Sequence, residues 1–220
     1  MAQAKTLNDK EMKKMLNYIS TRKFATRDRA MFLVSHLSGM RVGEIASLKI
    51  GDVWSADGTI KDEVRLLPEQ TKGKHARTVF LPEKLRKELI GYLAKMDRSD
   101  TSRPLFRTQK AESFTPNTLA QHFHYMYKEA GIDGASSHSG RRTFLTNLAS
   151  KGVGVRVLMA LAGHRSIQTT QIYLDCNDDM KRNSIYQVEL PVRMSIRQTK
   201  CRRVAQQTSG HLYFHMSTML

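Results

Sequence analysis

The sequence predicts an α+β domain that is mainly α-helical, with one small inserted β-hairpin. Apolar residues recur at helical spacing behind recognisable caps along most of the chain, and only residues 63–81 carry paired extended runs. No internal repeat or low-complexity segment interrupts them. A chain of 220 residues at 40% hydrophobic content can bury one respectable core. The expected division is one domain over residues 1–190 and a tail over 191–220.

The elements follow in order. Asn8 and Glu11 form the pattern of a capping box, and Met12, Met15, Leu16 and Ile19 repeat behind it as one helix face. Thr26 is the expected cap of a second helix that turns Met31, Leu33, Val34 and Leu37 inward and stops where Gly39 can turn left-handed. The stretch "RVGEIASLKIGDV" reads as a short helix and a turn. Residues 63–81 read as a hairpin whose Lys-Gly-Lys-His tip suits a turn. Pro82 opens a further helix from a first-turn position, and Thr115 with Pro116 opens another that closes at Gly131. Residues 97–103, "DRSDTSR", form a polar connector, and the remainder to about residue 188 is expected to be helical. The tail from Pro191 holds five Lys/Arg, no acid and little periodicity, so it is read as basic and flexible.

Charge narrows the partner. Thirty-six Lys+Arg against 20 Asp+Glu leave +16 and a pI near 10.1, which favours a polyanion, either nucleic acid or an acidic membrane. No apolar run approaches a membrane span, and residues 1–25 alternate charges with single apolar residues, so a signal peptide or anchor is not expected. Cys176 and Cys201 are too few for a disulfide framework and lack metal-ligand spacing, so both are read as free thiols of a soluble, cytoplasmic protein. His36, His122 and His124 have no metal-ligand spacing and are read as surface or packing residues; the methionines are read as core filler. Phosphate-loop, H-E-x-x-H and clustered-carboxylate patterns are all missing from the sequence.

Several basic or nucleophilic residues sit at telling positions. Arg41 lies just past a glycine turn, Lys72 at the hairpin tip, and His138 and Arg141, three apart, on one face of a helix start, where both can address one anion. "GHRS" opens a further helix, and Tyr173 follows His164 by nine residues.

Taken together, "SGMRVGEIASL", "TKGKHARTVFL", "SHSGRRTFLTNLA" and "LAGHRSIQTTQIYLD" resemble the tyrosine recombinase, or phage integrase, family, whose catalytic domain carries Arg, Lys, His-x-x-Arg, His and Tyr in that order. The resemblance covers roughly residues 6–188 and implies that family's catalytic-domain fold. It implies double-stranded DNA as partner and a 3′-phosphotyrosyl intermediate formed without metal, nucleotide or other cofactor. Tyr173 would be the nucleophile; a phenol ordinarily titrates near ~10 and needs a base or a positive field to attack at neutral pH. Arg41 and Arg141 would fork onto the phosphate oxygens, Lys72 would protonate the leaving 5′ oxygen, His138 would accept or position the tyrosine proton, and His164 would hydrogen-bond the phosphate. Glu44 would orient Arg41, while Lys74, Arg77, Arg142 and Arg165 would contact DNA.

Two departures leave this set intact: Arg142 stands where the family often has histidine, and Ala162 replaces a frequent leucine before Gly-His. The larger one is that the motifs begin almost at once, so the reading is a catalytic domain without the usual N-terminal core-binding domain, as in recombinases that invert fimbrial promoters. The resemblance further implies a homo-tetramer on a DNA synapse, with "DDMKRNSIYQVEL" and its Ile185, Val188 and Leu190 packing into a neighbouring subunit; either an accessory DNA-binding protein or another recombinase would stand in for the clamp. The competing readings are a DNA-binding regulator that has lost catalysis and a nicking-closing enzyme of the type IB topoisomerase kind. Tyr173→Phe separates the regulator from the enzymes.

Overall fold

The computed structural model describes residues 4–174. Cys176, Cys201, the segment 178–190 and the tail 191–220 lie outside the described residues.

Helix α1 (Asp9–Ser20) begins with the expected capping box: Asn8 Oδ1 accepts the Glu11 N–H at 2.9 Å, and the Glu11 carboxylate accepts the Asn8 N–H at 3.1 Å. Met15 and Ile19 point into the core. Helix α2 (Ala25–Ser38) departs from expectation, because Thr26 is inside it and Phe24 is the cap, with no side-chain cap bond. Its start is held instead by Asp28, a buried first-turn carboxylate that pairs with Arg22 at 2.8 Å, Arg27 at 2.9 Å and His122 at 3.0 Å. Burial pushes the Asp28 carboxyl up, but His122, Arg22 and Arg27 outweigh that and hold it at about 2.

Helix α2 is the hub of the core. Ala30, Met31, Phe32, Leu33 and Val34 are all buried in succession, so the helix is covered on every side rather than along one stripe; only Leu37, expected inward, is half-buried. It packs against α1, α5 (Glu83–Leu93) and α7 (Ser139–Ser150). Contact with α7 is close enough to require glycine: a Cβ at Gly140 would lie 2.1 Å from Ser35 Oγ and 2.9 Å from the His36 ring. His36 is a packing residue, fully buried, with Nδ1 bonded to the Phe32 carbonyl at 2.8 Å. His122 packs as a hydrogen-bond partner of Asp28, whereas His124 is exposed.

The stretch after Gly39 forms two short helices, α3 (Val42–Ala46) and α4 (Ile50–Val53), where a helix and a turn were expected. The expected hairpin is present: β1 (Glu63–Leu66) pairs antiparallel with β2 (Arg77–Phe80), Val64 opposite Val79, with those two and Leu66 facing the core. Its connection carries a 3₁₀ turn over Pro68–Gln70 and a tip in which Lys74 takes φ 52°. Pro82 is the cap of α5 rather than its first residue. Helix α6 (Pro116–Glu129) opens as expected, with Pro116 first and the Thr115 hydroxyl accepting the Thr118 N–H, and is followed by Gly131 at φ 62°. Helices α8 (Val155–Ala162) and α9 (Ile167–Gln171) complete the described chain. Among the described residues no helix is long and apolar enough to cross a membrane.

Candidate active site

The site is built on helix C-termini. Helix α2 ends at Gly39 (φ 64°) and α8 ends at Gly163 (φ 60°), both left-handed turns that leave terminal carbonyls without helical partners. Three arginines from three other elements take those of α8: Arg77 Nη1 donates to Leu161 O at 2.8 Å, Arg141 Nη2 to Ala162 O at 2.5 Å, and Arg41 Nη2 to Gly163 O at 3.2 Å. Arg141 also donates through Nη1 to Gly39 O at 2.8 Å, so it bridges the ends of α2 and α8. The negative ends of two helix dipoles therefore gather guanidinium groups that would otherwise repel one another. Arg141 feels the cost: burial first, then the charge of Arg41, lowers it to about 10, still protonated at neutral pH.

Glu44, on α3, is the counter-charge. It is buried, accepts the backbone N–H of Arg41 at 2.7 Å and Arg41 Nη1 at 3.0 Å, and accepts Arg77 through Nε at 3.1 Å and Nη2 at 2.6 Å. Burial pushes the Glu44 carboxyl up, but Arg77 and Arg41 outweigh it and leave it below its ordinary value. Arg77 is thereby engaged at all three nitrogens, a different setting from the exposed phosphate contact expected of it. Sequence reading missed this role, since its partners Glu44 and Leu161 lie 33 and 84 residues away.

His164 follows Gly163 directly. Its Nε2 receives Arg141 Nη2 at 2.9 Å, and its Nδ1 lies 3.0 Å from Thr170 Oγ1. An arginine can only donate, so Nε2 is the acceptor and the proton sits on Nδ1, facing Thr170. Burial and the fields of Arg141, Arg41 and Arg77 push His164 down to about 4, which keeps the ring neutral at physiological pH. Thr170 had no signal in the sequence. Tyr173, in the turn after α9, stacks on this ring at 6.1 Å between centroids, and the Arg142 guanidinium lies 5.9 Å from the Tyr173 ring centroid as a cation–π partner.

The remaining candidates rim the site. Lys72 is exposed on the hairpin tip and lines two adjoining clefts of about 730 and 670 Å³; Arg41 lines both, His138 the first and His164 the second. His138 is the exposed cap residue of α7, and its ring makes no hydrogen bond among the described residues. Lys74 is exposed on the same tip, and exposed Arg165 meets His75 there, joining the hairpin to the α8–α9 turn. The structure thus brings Arg41, Arg141, His164 and Tyr173 together, with Lys72 and His138 at the cleft walls. No group of three or more potential metal ligands occurs among the described residues.

Guanidinium groups thus converge beside a tyrosine at the edge of a cleft, on a helical domain with one hairpin. The chain belongs to the phage integrase family, whose sequence profile matches residues 5–180. It is 33% identical over 172 residues to tyrosine recombinase XerA of Pyrococcus furiosus, an alignment covering 77% of this chain and 56% of that protein. The chain thus spans little more than half the length of this relative. A crystal structure of XerA recombinase superposes with a TM-score of 0.66 at 29% identity, covering 87% of this chain and 67% of that one. The catalytic domain of bacteriophage HP1 integrase shares the fold, with a TM-score of 0.61 at 18% identity over 84% of this chain and 95% of that domain.

Proposed function

We propose that this chain acts as the catalytic domain of a site-specific DNA recombinase that cuts and rejoins strands through a 3′-phosphotyrosyl link. The observation that carries this reading is the convergence of Arg41 and Arg141 on the α8 terminus beside His164 and Tyr173. Arg41 and Arg141 neutralise the non-bridging oxygens as charge grows on the five-coordinate phosphorus. The Tyr173 oxygen gives its proton to His138 and bonds to phosphorus, while the bond from phosphorus to the 5′ oxygen breaks and Lys72 protonates that oxygen. His164 donates to the same phosphate through Nε2 once DNA displaces its contact with Arg141 and the ring proton shifts from Nδ1 to Nε2, the Thr170 hydroxyl then donating to Nδ1. A free 5′ hydroxyl from another strand reverses the step, so the phosphodiester is conserved without any cofactor.

Lys74, Arg142 and Arg165 serve as DNA contacts in this reading, and duplex DNA matches the net charge of +16. A homo-tetramer on paired duplexes and an accessory DNA-binding protein belong to it as well. Support for assembly comes from Val157, Ile167 and Ile172, apolar residues left 54%, 40% and 43% exposed along α8, α9 and the turn that follows.

The test is adduct mapping. The protein is incubated with DNA from the flanks of its own gene, denatured, digested with nuclease and protease, and analysed by mass spectrometry. A nucleotide 3′-phosphate on the peptide containing Tyr173 is expected. Tight DNA binding with no modified peptide would instead favour a regulator.

A further inference from the structure

We propose that Arg77 is a positioning residue that keeps Arg41 available to phosphate by carrying the charge of Glu44, while it fastens the Lys72 hairpin to the end of α8. The inference rests on the strand-transfer reading above and assigns Arg77 a task other than DNA contact.

A buried carboxylate beside a phosphate-binding arginine is a liability. Paired with Arg41 alone, Glu44 would cancel the positive field that the phosphate needs. Arg77 takes both Glu44 oxygens in a fork, at 3.1 and 2.6 Å, whereas the Arg41 guanidinium reaches only Oε1, at 3.0 Å from the side. Three arginines, Arg41, Arg77 and Arg141, then face one carboxylate, which leaves the cluster with a surplus of positive charge.

Exposure divides the labour in the same way. The Arg41 side chain is 27% exposed and opens on both clefts, while that of Arg77 is only 10% exposed and lines the second cleft alone. Arg77 also spends Nη1 on Leu161 O at 2.8 Å. Because Arg77 begins β2, this bond ties the strand after the Lys72 tip to the helix that leads into His164. Gly163 makes the approach feasible: a Cβ there would lie 2.7 Å from Arg77 Cδ.

The experiment compares wild type with Arg77→Gln, Arg77→Lys and the double variant Glu44→Gln/Arg77→Gln. It measures affinity for duplex DNA over a range of salt and the rate of covalent adduct formation, with thermal melting to confirm folding. Arg77→Gln should lose roughly 10²-fold in adduct rate. Any loss of DNA affinity or salt slope in Arg77→Gln should be regained in the double variant, because the contact weakened is that of Arg41 and not one made by Arg77. The double variant should recover part of the rate, since removing the carboxylate charge removes the need for its partner. Arg77→Lys keeps the charge without the fork and should fall between; it carries the test if Arg77→Gln fails to fold.

An adduct rate unchanged in Arg77→Gln would overturn the proposal, as would no recovery in a folded double variant. So would a salt slope smaller by about one unit that the double variant does not restore, the mark of a phosphate contact made by Arg77 itself. If wild type itself forms no adduct, the strand-transfer reading fails, and the salt slope still decides whether Arg77 touches DNA.

Discussion

His36 and His164 are both held near 4, against an ordinary value of 6.5, but for different reasons. Burial alone does this to His36, whereas His164 is pushed down by burial and then by three arginines. For both, the unfolded chain binds a proton near pH 6.5 while the folded one does not until about 4, so stability is full above that window and falls as pH drops through it. For fully buried His36 the loss should be on the order of 2 kcal/mol by pH about 5. Urea unfolding at pH about 7.5 and about 5 measures it, and equal stability at both would contradict it. Asp28 acts in a separate window, with stability lost only as pH falls from 3.8 towards about 2. The two histidines should part company on DNA, because a bound phosphate offsets the arginines around His164 and leaves His36 alone. Ring titration by NMR should show His164 rising on addition of duplex DNA while His36 stays; no movement of His164 would mean that the phosphate does not enter this cluster.

At the scale of elements, the site depends on how closely α7 crosses α2. Gly140→Ala would drive a Cβ into Ser35 and His36, and should cost roughly 1–3 kcal/mol by overpacking. The melting temperature should fall by roughly 2–4 °C for each kcal/mol; an unchanged melting temperature would show that the two helices can part freely. Legibility in the sequence follows the same geometry. The capping box at Asn8, the Thr115–Pro116 start and the hairpin were readable because each is decided within a few neighbouring residues. His-x-x-Arg and Gly-His followed by tyrosine were readable for the same reason, together with the resemblance of their order to a known family. The start of α2 was misread because Asp28, with partners as far away as His122, overrode the local preference of Thr26 for a cap. Arg77 gave no local sign of its task, since Glu44 and Leu161 reach it only through the tertiary fold.

Across the whole molecule, a charge of +16 favours a polyanionic partner, and the helix ends gather part of that charge into a cluster at one cleft. In the proposed function, long-range attraction and local chemistry are separate layers: many lysines and arginines would serve the first, and a handful of residues around α8 the second. Removing a single phenolic oxygen should leave the first layer intact and abolish the second. The most direct measurement is an SDS-quenched incubation with a supercoiled plasmid carrying the DNA that flanks this protein's own gene, in EDTA, comparing wild type with Tyr173→Phe. Covalent protein–DNA adducts or relaxed circles are expected from wild type only, with equal DNA binding by both. Adducts from both proteins, or from neither despite tight binding, would contradict it.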